Sequence, residues 1–157
     1  MATVTASGWM SNSLQAVEDI LVNCAAFRTL VGAADVAAAR TKVVWQSTRG
    51  EITAPYCLIR IIDGGSVSEP ATRLPERVDT VAALIVWTEI TGGTTASDVA
   101  RSQLNAFGAL LDQIAGLVNT STYLARATRT YEAPEILPDD SPHAGCWSGV
   151  ITFAWTI

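Results

Sequence analysis

An α+β fold is what the hydrophobic periodicity of this chain predicts: a single mostly antiparallel sheet with helices packed on one face, in the order α-β-β-β-α-β-β. Three observations carry it. Period-two stretches rich in β-branched and aromatic residues stand at 56–62, 77–90 and 150–157. Stretches of three-four spacing begin at Ser13 and after Thr95. The strands so found are too few to build a second sheet comfortably, which leaves one layer of strands and one of helices.

The first helix is predicted to start at Ser13 as N-cap, with Leu14, Val17, Leu21, Cys24 and Ala25 on its apolar stripe and an end near Phe27. Residues 1–12 are expected to be a flexible or neighbour-packing leader. Trp9 there needs somewhere to go, on a neighbouring molecule or on the chain's own sheet. Leu30, Val31 and Gly32 form a turn or a short 3₁₀ piece, and the Ala-rich run 33–39 a further helical turn. The run 42–47 reads as a short strand. In the next, 56–62, Cys57, Ile59 and Ile61 share one face and Tyr56, Leu58, Arg60 and Ile62 the other.

"DGGSVSEPATRLPE" is longer than a tight hairpin needs and reads as a mobile arm. The strand after it, 77–90, is apolar on both faces. Val81, Ala83, Ile85 and Trp87 lie on one parity; Val78, Ala82, Leu84 and Val86 lie on the other. Helices can cover one face, so the second must meet another layer or another chain.

Thr95 and Asp98 resemble a capping box that opens the main helix. Ala100, Leu104, Phe107, Leu111, Ile114 and Val118 form its stripe, broadened by Leu110 and Leu117. This is a helix lying across a sheet; the alternative, a coiled-coil seam, has under three heptads to work with. A strand at 123–132 follows, then "APEILPDDSPHAGC", where Glu135, Asp139 and Asp140 make an acidic patch. The closing strand 150–157 turns Ile151, Phe153, Trp155 and Ile157 to the core and leaves Val150, Thr152, Ala154 and Thr156 as a flat opposite face.

The 157 residues fit one domain with a core that needs no disulfide or metal. Only 16% of residues are charged, against roughly 25% in ordinary soluble domains. So thin a charge is expected of a subunit covered by its neighbours. The net charge is −5, and the ten bases are nine arginines and Lys42. No basic face is visible, so sequence-independent binding of duplex DNA is not expected. Three cysteines without a CxxC pair fit a reducing compartment. No apolar run is long enough for a membrane span, and the first residues lack the basic n-region of a signal peptide.

Chemistry-bearing motifs are weak. His143 and Cys146 could supply two metal ligands where a structural zinc site wants four. "GCWSG" has Trp147 where a nucleophile elbow needs serine. Gly92 and Gly93 precede a helix but lack the rest of a phosphate-binding motif. The expectation is a protein with no catalytic residues, no cofactor and no metal. A small hydrolase or nucleotide-binding enzyme is the alternative.

An N-terminal helix followed by "FRTLVG", the strand "VVWQ", then "APYCLIRI", a long loop, "DTVAALIVW", the helix "ARSQLNAFGALLDQI" and the closing "GVITFAWTI" together resemble the tail terminator (tail-completion) proteins of long-tailed bacteriophages. These are the proteins of which minor tail protein U is the type. The long loop at Asp139 departs from that pattern. The resemblance implies a virion tail protein, assembled in the host cytoplasm, that forms a hexameric ring. Such a ring caps the major tail tube protein, stops tube growth and presents a surface to head–neck connector proteins. It implies that Val81, Ala83, Ile85 and Trp87 serve ring closure or tube contact. The arm that carries Ser66, Glu69 and Arg73, with Arg77 just beyond it, would reach a neighbouring ring or line the channel. Acidic residues such as Glu135, Asp139 and Asp140 on a lumen would let DNA pass without adhesion. Another ring component, a tail tube or neck adaptor protein, is the structural alternative.

Overall fold

Helix α1 (Gly8–Asn23) opens the computed structural model. The structure describes residues 8–45, 52–68, 76–119 and 127–156, and only the backbone of 8, 9, 63–68, 76–79 and 156. Five residues that the leader was expected to hold, 8–12, are therefore helical. Ser13 is not a cap: it is fully buried inside α1, in line with Val17 and Leu21 at i+4 and i+8. A small hydroxyl-bearing residue at that position lets the helix lie close to its neighbours.

Cys24, extended at φ −80° and ψ 121°, breaks the helix, and α2 (Ala25–Leu30) restarts it. The cysteine offers α2 no side-chain cap. The acceptor comes instead from far along the chain, where Gln113 Oε1 takes the Ala26 N–H at 2.8 Å. Helix α3 (Val36–Arg40) is capped locally, the Asp35 carboxylate accepting from Ala38 N at 2.7 Å. Arg40 then binds Glu18 at 3.0 Å and Asp19 at 2.8 Å, tying α3 to α1.

Five strands follow: β1 (Val43–Trp45), β2 (Tyr56–Ser68), β3 (Glu76–Trp87), β4 (Thr128–Ile136) and β5 (Trp147–Thr156). They form one sheet in the order β1-β2-β3-β5-β4. Every pairing is antiparallel except β1 with β2. The sheet is mixed, with β4 and β1 as its edges. The expected arm is partly strand, since residues 63–68 of β2 pair with 76–80 of β3 through two register shifts. Only 69–75 of it lie outside the described residues. β4 runs on past a bulge between Glu132 and Glu135 to Ile136, beyond the predicted end at 132. The part of that predicted strand at 123–126 lies outside the described residues.

Helix α4 (Ala96–Val118) is capped as expected by Thr95, whose hydroxyl accepts from Asp98 N at 3.1 Å. Its buried face is Gln103, Phe107, Leu110, Ile114 and Val118. The expected stripe was rotated: Leu104 is 49% exposed and Leu111 sits on the flank. Gln103 replaces them inside. Its Oε1 accepts from Trp87 Nε1 at 2.9 Å and Ile90 N at 3.1 Å, and its Nε2 donates to Ile90 O at 2.7 Å and Val99 O at 3.1 Å. All the polar capacity of the amide is used, which is what makes its burial tolerable.

The core lies between α1, α2, α4 and one face of the sheet. Cys57 and Ile59, then Val81, Ala83, Ile85 and Trp87, then Ile151, Phe153 and Trp155 all point into it. Trp87 stacks on Phe107 with centroids 6.0 Å apart. Gly149 makes room for that ring, since a Cβ there would stand 2.6 Å from Phe107 Cε2.

Candidate interaction surface

Each sequence-derived candidate now has a place. Val81, Ala83, Ile85 and Trp87 were expected on a surface for neighbouring subunits, yet all four are fully buried beneath the chain's own helices. Both parities of β3 are apolar, so periodicity did not distinguish the inner from the outer face. Trp9 lies in the first turn of α1, Ser66 in β2 and Arg77 in β3, with side chains outside the described residues. Glu69 and Arg73 fall wholly outside them. Glu135 is exposed on β4, and Asp139 and Asp140 are exposed in the turn after it.

The outer face of the sheet carries Tyr56, Leu58, Arg60 and Ile62 of β2, Ala82, Leu84 and Val86 of β3, and Val150, Thr152 and Ala154 of β5. The loop 137–146 folds over one end of it, where the His143 ring packs 5.2 Å from that of Tyr56. Burial, with the Cys146 and Cys57 thiols nearby, raises the Tyr56 phenol above its ordinary value. His143 is half-buried there. Away from this loop the face opens: Leu58, Leu84 and Val150 are half-buried and Ile62 is 53% exposed.

On β4 the same outer face becomes acidic. Glu132 stands opposite Val150, and Glu135 opposite Ser148. Together with Ala133, Gly149 and the neighbouring residues they line a shallow hollow of about 190 Å³. Glu132 is not legible as a site residue in the sequence, because the predicted strand ends there and leaves its face undefined.

The inner face of β4 is different again. Arg129, Tyr131 and Ile136 pair with Phe153, Ile151 and Trp147, all on the helix side of β5. Yet among the described residues α4 comes near the strand without covering them: Tyr131 is 63% and Ile136 59% exposed. The reason is the position of α4. Phe107 seats it over Gly149 of β5, while its Gln113, Gly116 and Leu117 flank faces the α1–α2 break. At 100° per residue, the opposite flank presents Leu104, Gly108, Leu111 and Ala115 toward β4. That leaves Tyr131 and Ile136 of β4, with Leu104 of α4, as an exposed apolar shelf. Arg101, its side chain 72% exposed and 4.0 Å from Asp98, stands beyond Leu104, and Arg129 lies past Tyr131.

Chemistry of other kinds has little to work with among the described residues, where no three of His, Cys, Asp and Glu gather as metal ligands and no helix is long and apolar enough to cross a membrane. Cys24 is pushed up to about 11 by burial, partly opposed by the Arg28 guanidinium, and buried Cys57 is pushed higher still by burial and then by Glu18. Thiols held protonated in this way are poor nucleophiles. No model of a known protein family matches the chain, and no curated protein does.

Proposed function

We propose that the chain is a non-catalytic, self-assembling subunit of a long-tailed phage tail, of the tail-terminator kind. Its ring would cap the tail tube, stop tube growth and offer the free side to neck proteins. DNA would pass the lumen unbound. The observation that carries the reading is the uncovered apolar surface at the β4 side of the sheet, where Tyr131, Ile136 and Leu104 stand in water in an isolated chain. Exposed apolar residues grouped in this way mark association surfaces. The order of elements and the low charge of the chain support the same reading.

Native mass spectrometry of the purified chain, alone and added to a polymerising tail tube protein, tests it. A single closed ring that halts tube growth is the expected result. Filaments of the chain itself would favour a tube protein, and a ring that leaves tube length unchanged would favour a neck adaptor. A strict monomer at high concentration that leaves the tube growing would overturn the reading.

A further inference from the structure

We infer that self-assembly is head to tail through β4: the apolar shelf of one copy, rimmed by Arg101 and Arg129, receives the acidic outer face of β4 from a second copy. The inference rests on the reading of the chain as a ring subunit and specifies the contact that reading leaves open.

Charge complementarity selects the occupant. The two faces of β4 carry opposite signs. Arg129 lies on the inner face with Tyr131 and Ile136; Glu132 and Glu135 lie on the outer face, beside half-buried Val150 and Leu84. Basic partners for those carboxylates are scarce in a chain of net charge −5. Among the described arginines, Arg28 is held by Val22 O at 2.9 Å and Arg40 by Glu18 and Asp19. Arg60 shares the acidic outer face but stands on β2, three strands from β4 and so roughly 14 Å away. Lys42 is half-buried beside β1 at the opposite edge of the sheet, and of Arg77 only the backbone is described; Arg101, 4.0 Å from Asp98 on α4, and Arg129 on β4 are the exposed arginines on this side. On α4 the acids are Asp98, beside Arg101, and exposed Asp112; Glu132 and Glu135 adjoin Tyr131 and Ile136 along β4 but lie on its other face.

The symmetric alternatives are disfavoured by the same charges. Shelf against shelf sets Arg129 and Arg101 against their own copies, and outer face against outer face opposes Glu132 and Glu135 to themselves. Like charges across an interface are strongly unfavourable. Only the contact between unlike surfaces brings opposite signs together over apolar area. Such a contact is heterologous, so it propagates from copy to copy until rotation closes it into a ring. Eight exposed positions of the nine-residue strand, which is about 30 Å long, would be covered from both sides.

The test is a charge exchange read by native mass and by light scattering. One variant reverses the shelf (Arg101→Glu with Arg129→Glu), and another reverses the outer face (Glu132→Arg with Glu135→Arg). All four side chains are exposed, and circular dichroism with thermal melting checks that each variant folds. Each variant alone is expected to lose self-association by a factor on the order of 10 or more. An equimolar mixture of the two regains it, because each surface then finds its opposite on the other variant. A single chain bearing all four changes regains it too. If the wild type assembles and either two-site variant assembles equally well, the β4 contact is wrong while the ring reading stands. Loss without recovery in the mixture also overturns the contact and assigns the shelf to another occupant. A wild type that never assembles removes both.

Discussion

Gln103 does what no apolar residue could do at its position. It lies in the middle of the buried face of α4 and binds the Trp87 indole, both polar groups of Ile90 and the Val99 carbonyl. A leucine there would fill the volume but strand the indole N–H and the Ile90 backbone. Each buried group left unpaired costs about 1–3 kcal/mol. Gln103→Leu is therefore expected to lower the unfolding free energy by about 2–4 kcal/mol in urea denaturation, with a shift in tryptophan emission as Trp87 loses its acceptor. A loss under about 0.5 kcal/mol would show that the network contributes little. The sequence held a signal for this residue, a single amide four positions before Phe107 on a helix otherwise apolar on that side. Ala100 and Leu104 offer a more regular stripe, which masks it.

Among elements, α2 shows how a short helix is completed from outside. Its N-cap position is Cys24, which makes no capping bond, and Gln113 of α4 supplies the acceptor to Ala26 N at 2.8 Å. Gln113→Ala should cost about 1 kcal/mol, as loss of an N-cap does, seen as a lower denaturation midpoint at unchanged slope. Backbone amides of α2 should also exchange faster, and unchanged protection would show that water replaces Gln113 without loss. No local rule could foresee this pairing, since 87 residues separate the two partners. By contrast α3 was legible in outline from the Ala-rich run 33–39, and the structure adds its local cap, Asp35. The strands divide the same way. Alternation in β3 and β5 gave their location and period, while the parallel pairing of β1 and the continuation of β2 to Ser68 depend on partners that periodicity does not name.

For the molecule as a whole, charge is sparse and is sorted by surface. The core is neutral apart from Glu18 at its margin, and it also holds two thiols, Cys24 and Cys57. Both thiols are raised above the ordinary value of 9.0, Cys24 to about 11. An acid with a raised folded value keeps its proton in the native state after the unfolded chain has lost it. Its contribution is full below about pH 9 and falls as pH rises through about 11. The urea midpoint should thus decline across that window, and the decline should be shallower in the Cys24→Ala, Cys57→Ala variant. An equal slope in that variant would assign the alkaline loss to other groups. Near neutral pH neither thiol should react with iodoacetamide in the folded protein.

The amino-acid sequence by itself determined the fold class, most of the strand and helix positions and the Thr95 cap. Those are set by local spacing and local hydrogen bonding, which a single chain segment carries in full. Tertiary structure alone decided which side of β3 the helices would cover, and with it which residues face outward. Val81–Trp87 and the opposite parity satisfy the same alternation, and the choice falls to where Phe107 seats α4 over Gly149. The exposed shelf of β4 is the remainder of that choice, a strand that α4 approaches without covering Tyr131 and Ile136.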